Sequence, residues 1–100
     1  MFIDMTPQQA AKRLKMPGVV LIDVRSPEEY RRGHIAGSIN ITISEFYLTG
    51  SGNRLPPQNT EILLCCQSGS RSARAKDVLM QMGYTRVFNI GGVRGWPLKT

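Results

Sequence analysis

Ile62-Leu63-Leu64-Cys65-Cys66-Gln67-Ser68-Gly69-Ser70-Arg71-Ser72 is the stretch on which the reading of this chain turns. It opens with a short, continuous apolar run, the pattern of a strand buried on both faces, so we expect a strand over 62–65 that ends at Cys66. From Ser72 to Met82, apolar residues recur at Ala75, Val78, Leu79 and Met82, the spacing of one helical face, and Gly83 follows as a stop. Strand, tight loop and helix thus follow one another directly. When such a loop curls around its first side chain, successive backbone N–H groups converge on one point, and the helix N-terminus adds its own unpaired donors. A pocket of that kind prefers an anion. A cysteine thiol, with an ordinary pKa of about 8.5, would be held there as thiolate by the donors, the helix dipole and nearby Arg71, without a histidine base. Gly69 fits the same account, because a tight curl around sulfur needs a residue free to take positive φ. Ser68, Ser70 and Ser72 can each donate a hydroxyl hydrogen bond.

Working outward, strand-like and helix-like segments alternate along the chain, which predicts an α/β fold with a mostly parallel sheet covered by helices. Thr6-Pro7-Gln8-Gln9 begins a helix, with Thr6 and Gln9 forming a capping box and Ala10, Ala11 and Leu14 forming the buried stripe. After Pro17-Gly18, the β-branched run from Val19 to Ile22 reads as a central strand with Asp23 and Arg25 at its carboxyl end. Ser26-Pro27-Glu28-Glu29 repeats the capping logic for a short helix that Gly33 can end in a left-handed conformation. Further strands are expected over 38–41 and 86–90. The breaker-rich segment 49–57 reads as a surface loop, and 91–97 as a turn-rich ending.

Composition sets the bounds. A chain of 100 residues with 41% hydrophobic content fills one modest core, so residues 1–100 are read as a single domain. The longest apolar run stops at Asp23, far short of a bilayer span, and the N-terminus has neither a basic nor an apolar leader region. We therefore expect a cytoplasmic protein with no membrane partner. The only cysteines are adjacent, which disfavours a disulfide and points to reduced thiols. A net charge of +6 suits anionic partners. The cations, among them Lys12, Arg13, Arg54, Arg86 and Arg94, are scattered without aromatic interleaving, so no nucleic-acid partner is expected. Neither a metal nor a cofactor is anticipated.

Three ordered stretches carry a family resemblance. Leu63 to Ala75, containing Cys66-Gln67-Ser68-Gly69-Ser70-Arg71, resembles the active-site loop and following helix of the rhodanese family. Leu21-Ile22-Asp23-Val24-Arg25 through Gly33-His34-Ile35-Ala36-Gly37-Ser38, and Gly91-Gly92-Val93-Arg94-Gly95-Trp96, resemble its other two signatures, and the three together span nearly the whole chain. The resemblance implies a rhodanese-like α/β domain whose mainly parallel five-stranded sheet is flanked by helices on both faces. It also implies a persulfide on Cys66, with Gln67, Ser68, Gly69, Ser70, Arg71 and Ser72 around the substrate. The partners implied are a small anionic sulfur donor such as thiosulfate and a thiol acceptor, which leaves room for a sulfur-accepting protein. Cell-cycle phosphatases of similar fold have a loop one residue longer between Cys and Arg, so the smaller ring here suits a sulfane sulfur. A non-catalytic interaction module and a phosphatase or arsenate reductase are the competing readings.

Individual residues divide accordingly. Strand alternation turns Cys65 away from its neighbour, which makes it a small core residue and not a resolving thiol. Arg71 has two open roles: orienting an anionic donor, or holding the loop through a carboxylate such as Asp23. Asp23 and Arg25 are expected as a structural ion pair, His34 as a packing residue and not a Cys–His partner, and Trp96 as a cover over core near the pocket mouth.

Overall fold

The computed structural model describes residues 3–49 and 52–100. Two capping boxes start the first helices as expected. In α1 (Pro7–Leu14), Thr6 Oγ1 accepts from Gln9 N at 3.1 Å while Gln9 Oε1 accepts from Thr6 N at 2.9 Å. In α2 (Pro27–Arg32), Ser26 and Glu29 repeat the exchange at 3.2 and 3.0 Å. Of the stripe expected on α1, Ala10 is buried and Leu14 half-buried, but Ala11 is exposed. The apolar contact of this short helix with the sheet runs through the i, i+4 pair Ala10 and Leu14.

The strands are β1 (Val19–Asp23), β2 (His34–Ile35), β3 (Ile39–Asn40), β4 (Glu61–Cys66), β5 (Val87–Gly92) and β6 (Leu98–Lys99). β3, β1, β4 and β5 form, in that order, a wholly parallel sheet, and β2 pairs antiparallel with β6. Beyond β5 the backbone of Asp4 takes the place at the edge: its N–H donates to Asn89 O at 2.7 Å, and its carboxylate accepts from Asn89 N at 2.7 Å. The strand expected over 38–41 contracts to two residues, because the chain turns at once into a 3-10 helix, Ile43–Tyr47. The β2–β6 ladder lay outside the sequence expectation, since neither two-residue segment has a readable alternation. Gly33 is extended and not left-handed; glycine fits there because a Cβ would stand 3.3 Å from Leu98 Cδ1 of β6. The loop expected over 49–57 includes Gly50 and Ser51, which lie outside the described residues, and 53–57 has no regular structure.

Alternation along β4 divides the core. Ile62, Leu64 and Cys66 face Ala75 and Leu79 of α3 (Ser70–Gln81) together with Phe46, whereas Leu63 and Cys65 face Ala10 of α1, Ile35 and Ile90. Both faces are thus covered by helix, as a parallel sheet requires. The register sets Asp23 beside Cys65, so the carboxyl ends of β1 and β4 coincide and Cys66 emerges at that edge, where open α/β sheets place their ligands. At the other end of β4, buried Glu61 is clamped by Arg13 at 2.6 and 2.8 Å and by Arg86 at 2.7 Å. Among the described residues no helix is long and apolar enough to cross a membrane.

Candidate active site

The loop is tighter than the sequence periodicity suggests. Gly69 takes φ +97°, the left-handed conformation, and this sharp turn lets α3 begin at Ser70, two residues before the expected start. The Gly69 N–H therefore points back at the strand end and donates to Cys66 Sγ at 2.9 Å, while Ser72 Oγ lies 3.3 Å from the same sulfur. Burial acts to raise the Cys66 pKa. The Ser72 hydroxyl and the N–H groups of Ser72, Gly69 and Ser68 outweigh it, and the thiol lies below its ordinary value. This is the converging-donor arrangement that the loop sequence implied.

The six loop residues do not share one environment. Gln67, Ser68 and Ser70 are exposed, and the hydroxyls of Ser68 and Ser70 lie 3.3 Å from each other instead of serving the sulfur. Gly69 and Ser72 are buried, Ser72 as completely as Cys66, so Ser72 stands beside Sγ within the core and not on the exposed face of the loop. Arg71 meets a carboxylate, but that carboxylate is Glu29 and not Asp23: Nη1 and Nη2 donate to its two oxygens at 2.7 and 2.9 Å. Asp23 is taken by Arg25, whose guanidinium also donates to Gly33 O at 2.7 Å, the structural pair expected of these two residues. Hydrogen bonds from Arg71 lead the causes that hold the Glu29 carboxyl at about 2. Glu29 Oε1 is the same atom that completes the α2 capping box, so one carboxylate joins the first turns of α2 and α3.

Three further residues shape the site, and the sequence reading gave none of them a role in it. Glu29 is visible in the sequence only as a capping residue. Asn89 is a fully buried amide inside the apolar strand β5, and a polar residue in such a run is the signal that could have marked it. Gly92 packs its Cα so closely on the loop that a Cβ would stand 2.1 Å from Gln67 O. His34 stacks on Tyr30 with ring centroids 3.8 Å apart and sets Nδ1 2.8 Å from Tyr30 O, engaged away from the sulfur. Trp96 packs half-buried against the α1-side core, in the covering position expected of it.

Cys66 itself is fully covered, and what faces solvent above it is Gln67 and Ser68. Two clefts meet at that point. One, of about 530 Å³, is lined by Arg25, Val93, Arg94 and Leu98 as well as the two loop residues; the other, of about 690 Å³, runs past Ile3, Met5 and Ile90. Arg94, set aside in the sequence as a scattered surface cation, borders both. Among the described residues no cluster of three or more His, Cys, Asp or Glu side chains could hold a metal ion.

Known proteins resemble this chain in sequence and in fold. The family model described as "Rhodanese-like domain" matches residues 6–99. The thiosulfate sulfurtransferase PspE of Escherichia coli is 40% identical over 73 residues, which cover 73% of this chain and 69% of that protein. The thiosulfate sulfurtransferase GlpE of Tolumonas auensis is 30% identical over 102 residues, covering 95% and 88%. Among solved structures, the human single-domain sulfurtransferase TSTD1 superposes with a TM-score of 0.78 at 26% identity, over 92% of this chain and 91% of that one.

Proposed function

Because the chain belongs to the rhodanese-like domain family, we propose that it is a sulfurtransferase that carries a sulfane sulfur on Cys66. The observation that supports this most is the sulfur at the focus of the Gly69 N–H and the Ser72 hydroxyl, with its pKa below the ordinary thiol value. The Cys66 thiolate attacks the outer sulfur of thiosulfate; a new S–S bond forms, the old S–S bond breaks, and its electron pair leaves on sulfite. A thiolate or cyanide then attacks the outer sulfur of the resulting persulfide, and the Cys66 thiolate departs as leaving group. The loop donors serve both steps, since each has negative charge on the same atom. Sulfite leaves readily without a general acid, and no acid is needed from the loop. Exposed Arg94 at the mouth suits an anionic donor, which reaches Sγ where Gln67 and Ser68 yield. The acceptor is a small thiol or a sulfur-accepting protein, and the reaction runs in the cytoplasm with no cofactor.

A second reading, a binding module without turnover, draws on the complete burial of Cys66. The two separate in one assay. The purified protein should convert thiosulfate and cyanide to sulfite and thiocyanate while leaving an aryl phosphate intact. No turnover above the rate of the reagents alone supports the module, and phosphate cleavage comparable to sulfur transfer would show that loop size does not select the substrate.

A further inference from the structure

Asn89 has no place in the loop motif, yet three of its bonds converge there. It stands opposite Leu64, where a bulge in the β4–β5 pairing carries the register from Leu64–Asn89 to Cys65–Gly91. Bulges re-aim side chains. Here the amide reaches the first turn of α3: Ser72 Oγ donates to Asn89 Oδ1 at 2.6 Å, Asn89 Nδ2 donates to Gly69 O at 3.1 Å, and Gly91 N donates to Asn89 Oδ1 at 2.9 Å. The Gly91 N–H fixes which end of the amide is oxygen, so Nδ2 is the end that faces Gly69 O.

Ser72 has one hydroxyl proton and three acceptors around it: Asn89 Oδ1, Gly69 O at 3.1 Å and Cys66 Sγ at 3.3 Å. While Cys66 is a thiol, its S–H can donate to Ser72 Oγ and the Ser72 proton rests on Asn89. When the thiol proton has gone to solvent, the hydroxyl can turn to the thiolate. That turn strands no buried acceptor, because Asn89 Oδ1 keeps the Gly91 N–H, and Gly69 O keeps Ala73 N at 3.0 Å and Asn89 Nδ2. Without Asn89 the Ser72 proton loses its shortest acceptor, and only Cys66 Sγ and Gly69 O, which keeps Ala73 N, remain to take it.

We propose that Asn89 is a positioning residue for Cys66, which holds the Ser72 proton while Cys66 is a thiol and yields it to the sulfur when charge resides there. The proposal rests on the reading of Cys66 as the nucleophile and adds the device on β5 that sets its ionisation. The charged and titratable groups that face the sulfur are Arg71 with Glu29 on the helix side, the neutral Cys65 thiol with the Asp23–Arg25 pair on the β1 side, and the Asp4–Lys76 pair beyond Asn89.

The test is the pH dependence of Cys66 alkylation by iodoacetamide, followed in a Cys65→Ala background so that one thiol reports. Asn89→Ala should lower the midpoint by up to about one pH unit, because only the thiol form loses the Ser72–Asn89 bond, whereas Ser72→Ala should raise it by about as much. The double variant should titrate with Ser72→Ala. A folded Asn89→Ala protein with an unchanged or raised midpoint, or a shift that repeats in full on top of Ser72→Ala, would overturn the proposal. Should Asn89→Ala not fold, Asn89→Leu takes its place, filling the volume with no acceptor and no added charge: its midpoint must fall, and no change would equally overturn it. Alkylation requires no sulfur transfer, so a protein that forms no persulfide leaves this result standing, and the reverse also holds.

Discussion

Cys65 and Cys66 are the same residue one peptide apart, and the strand sends them to opposite sides of the sheet. Cys65 sits among Leu21, Leu63, Ile90 and Ala10, and burial first, then the Asp23 carboxylate, pushes its thiol up. Cys66 is no more exposed, but it ends the strand where Gly69 turns the backbone donors toward it, and its thiol moves down. Burial alone therefore says little about a cysteine. The supply of donors to the charged form decides whether it is inert or nucleophilic.

The contrast should break first at the cysteines themselves. Cys66→Ser should bring thiosulfate:cyanide transfer down to the reagent background while the protein melts near the parent temperature, because a hydroxyl there finds Gly69 and Ser72. Cys65→Ser should do the opposite, keeping most of the activity while losing about 1–3 kcal/mol, since it buries a hydroxyl among apolar groups. The reverse ranking in either assay would sink the division. Gly92→Ala comes next. A methyl group pressed on the Gln67 carbonyl must displace the loop from the sulfur, and a shift of that size costs on the order of 100-fold in turnover with the sheet retained. Activity at the parent level would mean that the loop does not depend on this close approach.

Smaller effects sharpen the account of activation. Arg71 is already neutralised by Glu29, so Arg71→Ala should raise the Cys66 alkylation midpoint by less than about one unit, and His34→Ala should leave it in place. If His34→Ala moved the midpoint more than Arg71→Ala, a Cys–His pair would be making the thiolate. The Glu29–Arg71 pair carries its own pH dependence. The Glu29 carboxyl is held at about 2, against an ordinary 4.5, so its contribution is complete above pH 4.5 and is lost as pH falls toward 2. Arg71 is 42% exposed, which limits that contribution to about 1 kcal/mol. Urea melts of Glu29→Gln and the parent should therefore differ at neutral pH and converge near pH 2, whereas a constant gap would mean that ionisation of Glu29 is not what stabilises the link.

Those parts of the fold with local causes were readable from the sequence. The two capping boxes, the strands expected over 19–22 and 62–65, found as Val19–Asp23 and Glu61–Cys66, and the helical face of Ala75, Val78 and Leu79 follow from near-neighbour chemistry, and so does the separation of Cys65 from Cys66. The parts that depend on distant contacts were not readable. Glu29 caps its own helix with the oxygen that also holds Arg71, and nothing in Ser26-Pro27-Glu28-Glu29 signals the second partner. Asn89 and Gly92 act across the β4–β5 pairing, whose bulge moves the register by a residue that no periodicity reveals. The early start of α3 is local but lay beyond the apolar periodicity, because Gly69 alone takes φ +97° and leaves Ser70 already helical.

The central claim, that Cys66 and not Cys65 carries transferable sulfur, is tested most directly by intact-mass measurement after incubation with thiosulfate and removal of the excess. The parent and the Cys65→Ala variant should each gain the mass of one sulfur atom and lose it on addition of cyanide, while Cys66→Ala should gain nothing. A sulfur retained on Cys66→Ala, or no cyanide-labile adduct on the parent chain, would contradict the account.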